Sequence, residues 1–132
     1  MFVEKIYLKK EKEQLNTSFG FKGNKLTYLL QVSVTVKDGG FTGVGVGVQS
    51  ALWSDAKVYG EFGENKSNEL MFNLTRYAAS LLKGLEFSTP EQAFDFLFPK
   101  VFEYAKNTVK RDVSETFVLN SLVPIDFALW ML

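Results

Sequence analysis

Asp55, Glu61 and Glu64 fall in one short stretch with Asn65. Oxygen ligands gathered in this way are what a hard cation such as calcium or magnesium takes. Their spacing matches no calcium loop, however, and the stretch reads as an exposed irregular segment. Asp126 stands in an apolar helical segment, where a buried carboxylate needs a partner; a structural hydrogen bond is expected there rather than catalysis. Serine is present without histidine, so no ordinary Ser–His triad can form. The absence of cysteine removes thiol chemistry and disulfides, and with histidine also missing the usual zinc sets are excluded. Gly43 to Gly47 is not closed by Gly-Lys-Ser/Thr and therefore makes no phosphate cradle. Lys9 and Lys10, flanked by glutamates, read as a solvated face. Two segments differ in character: Thr17-Ser18-Phe19-Gly20-Phe21-Lys22-Gly23 and Gln49-Ser50-Ala51-Leu52-Trp53-Ser54-Asp55. Loops that mix aromatics with hydroxyls and glycine either tuck the rings under the domain or present them to a ligand.

The elements around these residues fall into two halves. Phe2 to Leu8 is a short apolar strand ending in the charged run Lys9 to Glu13, followed by a polar stretch, Leu15 to Asn24. Leu30, Val32, Val34 and Val36 alternate with Gln31, Ser33 and Thr35, and period two places the four apolar residues on one face of a strand. Asp38-Gly39-Gly40 is a hairpin turn. Beyond it Val44, Val46 and Val48 alternate with Gly43, Gly45 and Gly47. The pair is expected to form an antiparallel hairpin with one valine-lined face, bare glycine lying opposite on the returning strand. Glycine weakens a strand, so three at period two need a reason: close approach of another backbone or a ligand, or a thin, twisted strand beneath a loop.

The second half is helical. Leu70, Leu74, Tyr77, Ala78 and Leu81 keep helical spacing up to a stop at Gly84. Thr89-Pro90-Glu91-Gln92 is a capping-box start, with Phe94, Leu97, Phe98, Val101, Phe102 and Ala105 as the apolar stripe behind it. Pro99 should bend or break that helix. A third helix runs from about Ser114 to the end, with a kink expected at Pro124. Strands followed by helices, rather than alternating with them, predict an α+β domain: a three-stranded antiparallel sheet followed by a three-helix bundle.

The 132 residues fit one domain. Hydrophobic residues at 46% and charged residues at 23% are ordinary for a soluble globular protein. Fifteen basic against fifteen acidic residues leave no net charge, which argues against nucleic acid as a partner. The N-terminus is not a signal peptide, and no apolar run approaches the roughly 18 residues of a membrane span, so the expected setting is cytoplasmic, with no membrane partner.

Two motifs carry a family resemblance. Asp38-Gly39-Gly40-Phe41-Thr42-Gly43-Val44-Gly45 resembles the "DG…G.G" hairpin of the mandelate racemase/muconate lactonizing enzyme group of the enolase superfamily. Val123-Pro124-Ile125-Asp126-Phe127-Ala128-Leu129-Trp130-Met131-Leu132 is similar to its "a.D.ALWDL" segment, where the last capping helix leads toward the barrel. The likeness extends over nearly the whole chain. It departs at Val46, where the family has glutamate, and at Met131, where the family has aspartate.

The resemblance implies that residues 1–132 are a single N-terminal capping domain and that the catalytic (β/α) barrel is absent from this chain. It implies a parent protein that uses barrel-bound magnesium and abstracts a proton α to a carboxylate, as a racemase, epimerase or lyase. Two cap loops would close over the small carboxylate substrate: Thr17, Phe19, Phe21 and Lys22 on one, Ser50, Trp53 and Asp55 on the other. No catalytic or metal-binding residue is carried over to this chain, and no cofactor is expected in it; magnesium is implied only for the full-length family. The apolar ending Phe127 to Leu132 expects something packed upon it. That favours a piece of a longer protein, partnered by the missing barrel or another subunit and forming a homo-oligomer. The alternative is a free-standing binding or oligomerisation module.

Overall fold

A computed structural model describes residues 1–21 and 23–132, Phe21 by its backbone alone. The expected α+β order holds. Three strands, β1 (Lys5–Phe21), β2 (Asn24–Asp38) and β3 (Phe41–Gln49), precede four helices, α1 (Ala51–Ser54), α2 (Ala56–Leu82), α3 (Pro90–Val109) and α4 (Glu115–Trp130). The sheet is antiparallel in the order β1-β2-β3. The three long helices pack on one another, and α4 lies along β3. Of the expected helices, α3 begins where its capping box places it, and α4 begins beside Ser114, as expected. Thr89 Oγ1 accepts the Gln92 backbone N–H at 3.1 Å, while Gln92 Oε1 reaches back to the Ser88 N–H at 2.6 Å. Ser114 caps α4 through the Phe117 N–H at 3.1 Å. Each such cap is worth about 1 kcal/mol. Gly84 stops the preceding helix with φ 84°.

The structure corrects several expectations. The first strand does not end at Leu8. After an isolated bridge between Phe2 and Glu86, β1 runs from Lys5 through the charged residues and through most of the stretch read as polar, with an irregularity between Gln14 and Phe19. Alternation makes this possible, because it divides the charges between the two faces of the sheet. Thus Lys9 pairs with Glu11 at 2.8 Å on the open face, whereas Lys10 lies on the helix-covered side, its ammonium 4.7 Å from the Phe72 ring centroid. Lys9 and Lys10 are therefore both exposed, as expected, but on opposite faces of the sheet. The stretch from Asp55 to Asn65 is helical, as Asp55 caps α2 and the helix continues to Leu82 with one break at Gly63 (φ 85°, ψ 172°). Pro99 and Pro124 lie within continuous helices and break neither.

The largest correction concerns the valines. Asp38 pairs with Phe41 across a two-residue turn, so even-numbered positions on β2 face odd-numbered ones on β3: Val32 opposite Gly47, Val34 opposite Gly45, Val36 opposite Gly43. Cross-strand partners share a face. The β2 valines and β3 glycines therefore line the covered side together, and the β3 valines turn outward. Val32, Val34 and Val36 are fully buried, whereas Val44, Val46 and Val48 are 50%, 50% and 45% exposed.

The glycines admit α4. A Cβ at Gly45 would sit inside contact distance of the Pro124 carbonyl oxygen and 2.9 Å from Phe127 Cβ; one at Gly43 would lie 2.8 Å from the Leu132 nitrogen. Close approach of another backbone is thus the reason for this strand's composition. The core then fills from α4 inward. Phe117, Leu122 and Ile125 are buried with Leu74 and Leu82 of α2 and Leu97 of α3. Burying each such side chain contributes roughly 1.5–3 kcal/mol.

Candidate functional site

The two aromatic-bearing segments meet. Phe19, near the outer end of β1 opposite Leu26, and Trp53 of α1 place their ring centroids 5.8 Å apart at an interplanar angle of 30°. Each remains about half exposed, Phe19 at 49% and Trp53 at 46%. The rings are neither tucked beneath the domain nor free-standing: each covers part of the other and leaves a joint aromatic surface. Such a pair contributes about 0.5–1.5 kcal/mol beyond area burial.

The position of Trp53 follows from how the chain leaves the sheet. Ser50 is extended and opens α1. Asn120, projecting from α4, accepts the Ser50 N–H at 3.0 Å and the Ser54 hydroxyl at 2.8 Å, and donates to the Val48 carbonyl at 3.1 Å. Asn68 accepts the Ala51 N–H at 3.1 Å. Asp55 accepts the Val58 N–H at 3.2 Å and the Ser114 N–H at 2.8 Å, and Ser114 returns its hydroxyl to the Ser54 carbonyl at 2.7 Å. These bonds satisfy the backbone groups that a four-residue helix leaves unpaired. With Ala51, Leu52 and Ser54 buried, Trp53 is the residue of this turn that faces outward.

The other expected site residues are placed differently. Thr17 is exposed on β1. Phe21 closes that strand, while Lys22 lies outside the described residues. Ser50 is buried, and its hydroxyl, with Gln49 Oε1, is a buried side-chain atom that has no hydrogen-bond partner. Asp55 spends both carboxylate oxygens on backbone amides. Ser50 and Asp55 thus position Trp53, and Phe19 and Trp53 supply the surface.

The remaining polar groups hold the frame. Gln49 Nε2 donates to Thr75 Oγ1 at 2.6 Å, and Thr75 donates to the Ser121 carbonyl at 2.7 Å, joining β3, α2 and α4 in the interior. Glu64 accepts the Thr27 N–H at 2.7 Å and the Thr27 hydroxyl, and Glu61 pairs with Arg111. The hydroxyl of Tyr59 donates to the Lys25 carbonyl. Burial pushes the Tyr59 phenol up to about 12, with the Glu64 charge adding to it. Burial raises Tyr28 too, partly offset by its hydrogen bond with Asn68. Both phenols hold their protons at neutral pH and are unsuited to act as bases.

Magnesium does not fit these donors. Asp55, Glu61 and Glu64 are committed to three separate structural tasks, and among the described residues no group of three or more acidic side chains could hold a metal ion. Asp126 is half-buried on α4. Burial raises its carboxyl above the usual range, and a hydrogen bond from the Trp130 side chain partly counters this.

The sequence reading did not find Asn120, Asn68 or Thr75 as positioning residues. Asn120 carried one usable signal, an amide in a run from Phe117 to Leu129 whose other polar residues are Ser121 and Asp126.

No family model matches the chain, and no curated protein matches it. Solved structures do share its fold. A mandelate racemase/muconate lactonizing protein from Herpetosiphon aurantiacus superposes over 97% of this chain and 29% of its own, with a TM-score of 0.55 and 14% identity. The L-Ala-D/L-Glu epimerase from Bacillus subtilis, in a substrate-liganded complex, covers 98% of this chain and 30% of its own, with a TM-score of 0.52 and 11% identity. The expected likeness to this group holds for the fold. The chain spans less than a third of the length of either protein. Among the described residues no helix is long and apolar enough to cross a membrane.

Proposed function

We propose that this chain is the capping, substrate-specificity domain of an enzyme of the mandelate racemase/muconate lactonizing enzyme kind, inactive by itself. In this reading a (β/α) barrel outside the chain carries the magnesium ion and the groups that remove a proton α to a carboxylate. The observation that carries the proposal is the meeting of Phe19 and Trp53. Segments from the two edge strands, at the same end of the sheet, converge on one aromatic surface, as a lid over a small substrate requires. The rings exclude water and contact the apolar part of the substrate. Thr17 lies on the same strand, which Phe21 closes.

The exposed residues of α4 support a partner. Leu119, Phe127 and Trp130 are exposed on an otherwise apolar helix, at a spacing that keeps them on one stripe with Val123. A barrel, or another subunit, would bury that stripe. A second reading, a free-standing oligomerisation module, draws on the half-exposed β3 valines, which form an apolar strip on an open sheet face.

Sequencing the reading frame beyond the codon for Leu132, and the neighbouring genes, tests the proposal. The expected result is a barrel with a Lys-x-Lys strand and three acidic strand ends. A stop codon with no such barrel nearby would overturn it in favour of the module. In the joined protein, Trp53→Ala should alter the ratio of kcat/KM between two substrates while leaving the melting temperature nearly unchanged.

A further inference from the structure

We propose that a second site, separate from the Phe19–Trp53 surface, binds a small organic carboxylate in the cavity between the β1–β2 hairpin and α2. The cavity measures about 230 Å³, the scale of a ligand of a few heavy atoms, below the range of drug-sized pockets. It shares no lining residue with the aromatic pair.

Its lining is unusual for its place in the fold. Ile6 and Leu8 face the helix-covered side of β1, opposite Val36 and Val34, and alternation continues that face through Lys10 and Lys12, opposite Val32 and Leu30. Positions that pattern as core thus carry ammonium groups. Both are held over aromatic rings: Lys10 Nζ is 4.7 Å from the Phe72 centroid and Lys12 Nζ 4.6 Å from that of Tyr28. Lys12 also donates to Asn65 Oδ1 at 3.4 Å. Their stems cover the edge of a small apolar cluster of Tyr28, Leu30, Val32 and Phe72, while their charges stay at the cavity rim.

The cavity therefore offers an apolar floor from Leu30 and Tyr28 and a cationic rim from the two lysines. The Asn68 amide is bonded to the Tyr28 hydroxyl at 3.2 Å, which fixes one wall. Glu69 is the one carboxylate in the lining, so the lined space keeps a net positive charge. On neighbouring elements, Glu64 is occupied by the Thr27 and Tyr28 amides, and Glu11 lies on the opposite face with Lys9. A monoanion with a short apolar body satisfies this arrangement. Its carboxylate lies between the ammonium groups, its carbon chain rests on Leu30 and Tyr28, and Glu69 disfavours a second negative charge.

Butyrate is the probe, followed by amide chemical shifts and calorimetry on the full chain, with inorganic phosphate as the comparison. The expected result is saturable binding with shifts centred on Tyr28, Asn65 and Asn68. Lys10→Met or Lys12→Met should weaken it about tenfold, the loss of one charge-assisted hydrogen bond. Lys12→Arg should retain it, and Lys9→Met, on the opposite face, should leave it unchanged. Methionine keeps the apolar stem, and an unchanged melting temperature confirms folding. Absent or scattered shifts, insensitivity to both methionine variants, or phosphate binding as tight as butyrate would each overturn the proposal.

Discussion

The two faces of β3 are built from the same alternation and do opposite things. On one, Gly43 and Gly45 let the backbone of α4 approach so closely that a methyl group would collide with it. On the other, Val44, Val46 and Val48 stand half-exposed. The lesson is that apolar side chains do not by themselves mark the core side of a strand. Here the core side is the one without side chains, because the covering element is a helix packed backbone to backbone, and the valines it needs come from β2.

The comparison breaks most readily at Gly45. Gly45→Val should destabilise the protein by about 3 kcal/mol or more, since the collision is with helix backbone and cannot be relieved by a rotamer change. Urea unfolding would show it, and a cost below 1 kcal/mol would mean that α4 slides freely on the sheet. Thr75→Val tests the interior that holds the same helix. It leaves the Gln49 amide without its acceptor and the Ser121 carbonyl without its donor, at a cost of about 1–3 kcal/mol. On the outer face, Val46→Thr should change stability by no more than about 0.5 kcal/mol. If that face meets another subunit, the same substitution should weaken association in sedimentation experiments while the monomer's stability holds.

The smallest effect concerns the side of α4 turned from the sheet. Because the folded Asp126 carboxyl sits above its unfolded value, its contribution to stability is fully present below the ordinary aspartate range and is lost as pH rises through the raised value. Asp126→Asn should flatten the stability curve in that window and modestly stabilise the protein above it. Unfolding midpoints measured from pH 3 to pH 7 would detect the change, and an unaltered slope would contradict it.

Parts of this were open to a reader of the sequence. The valine–glycine opposition follows from Asp38-Gly39-Gly40-Phe41 alone: a two-residue turn pairs even positions with odd ones, so even-numbered valines on both strands must take opposite faces. The reach of β1 through its lysines and glutamates was less accessible, because a charged run looks like a loop until a partner strand gives its backbone hydrogen bonds. The helical path from Ala56 onward was hidden for a similar reason. Two glycines stand in its first part, Gly60 and Gly63, and only Gly63 interrupts the helix.

The sequence itself determined the order of strands and helices, the caps at Thr89 and Ser114, and the choice of glycine where α4 was to lie. These depend on neighbours within a few positions, whose geometry the chain imposes locally. The meeting of Phe19 with Trp53, the clamp by Asn120 and the seating of the Lys10 and Lys12 ammonium groups over Phe72 and Tyr28 were decided only by the tertiary structure. Each depends on the distance between segments far apart in the chain, and no local preference of the backbone encodes that distance.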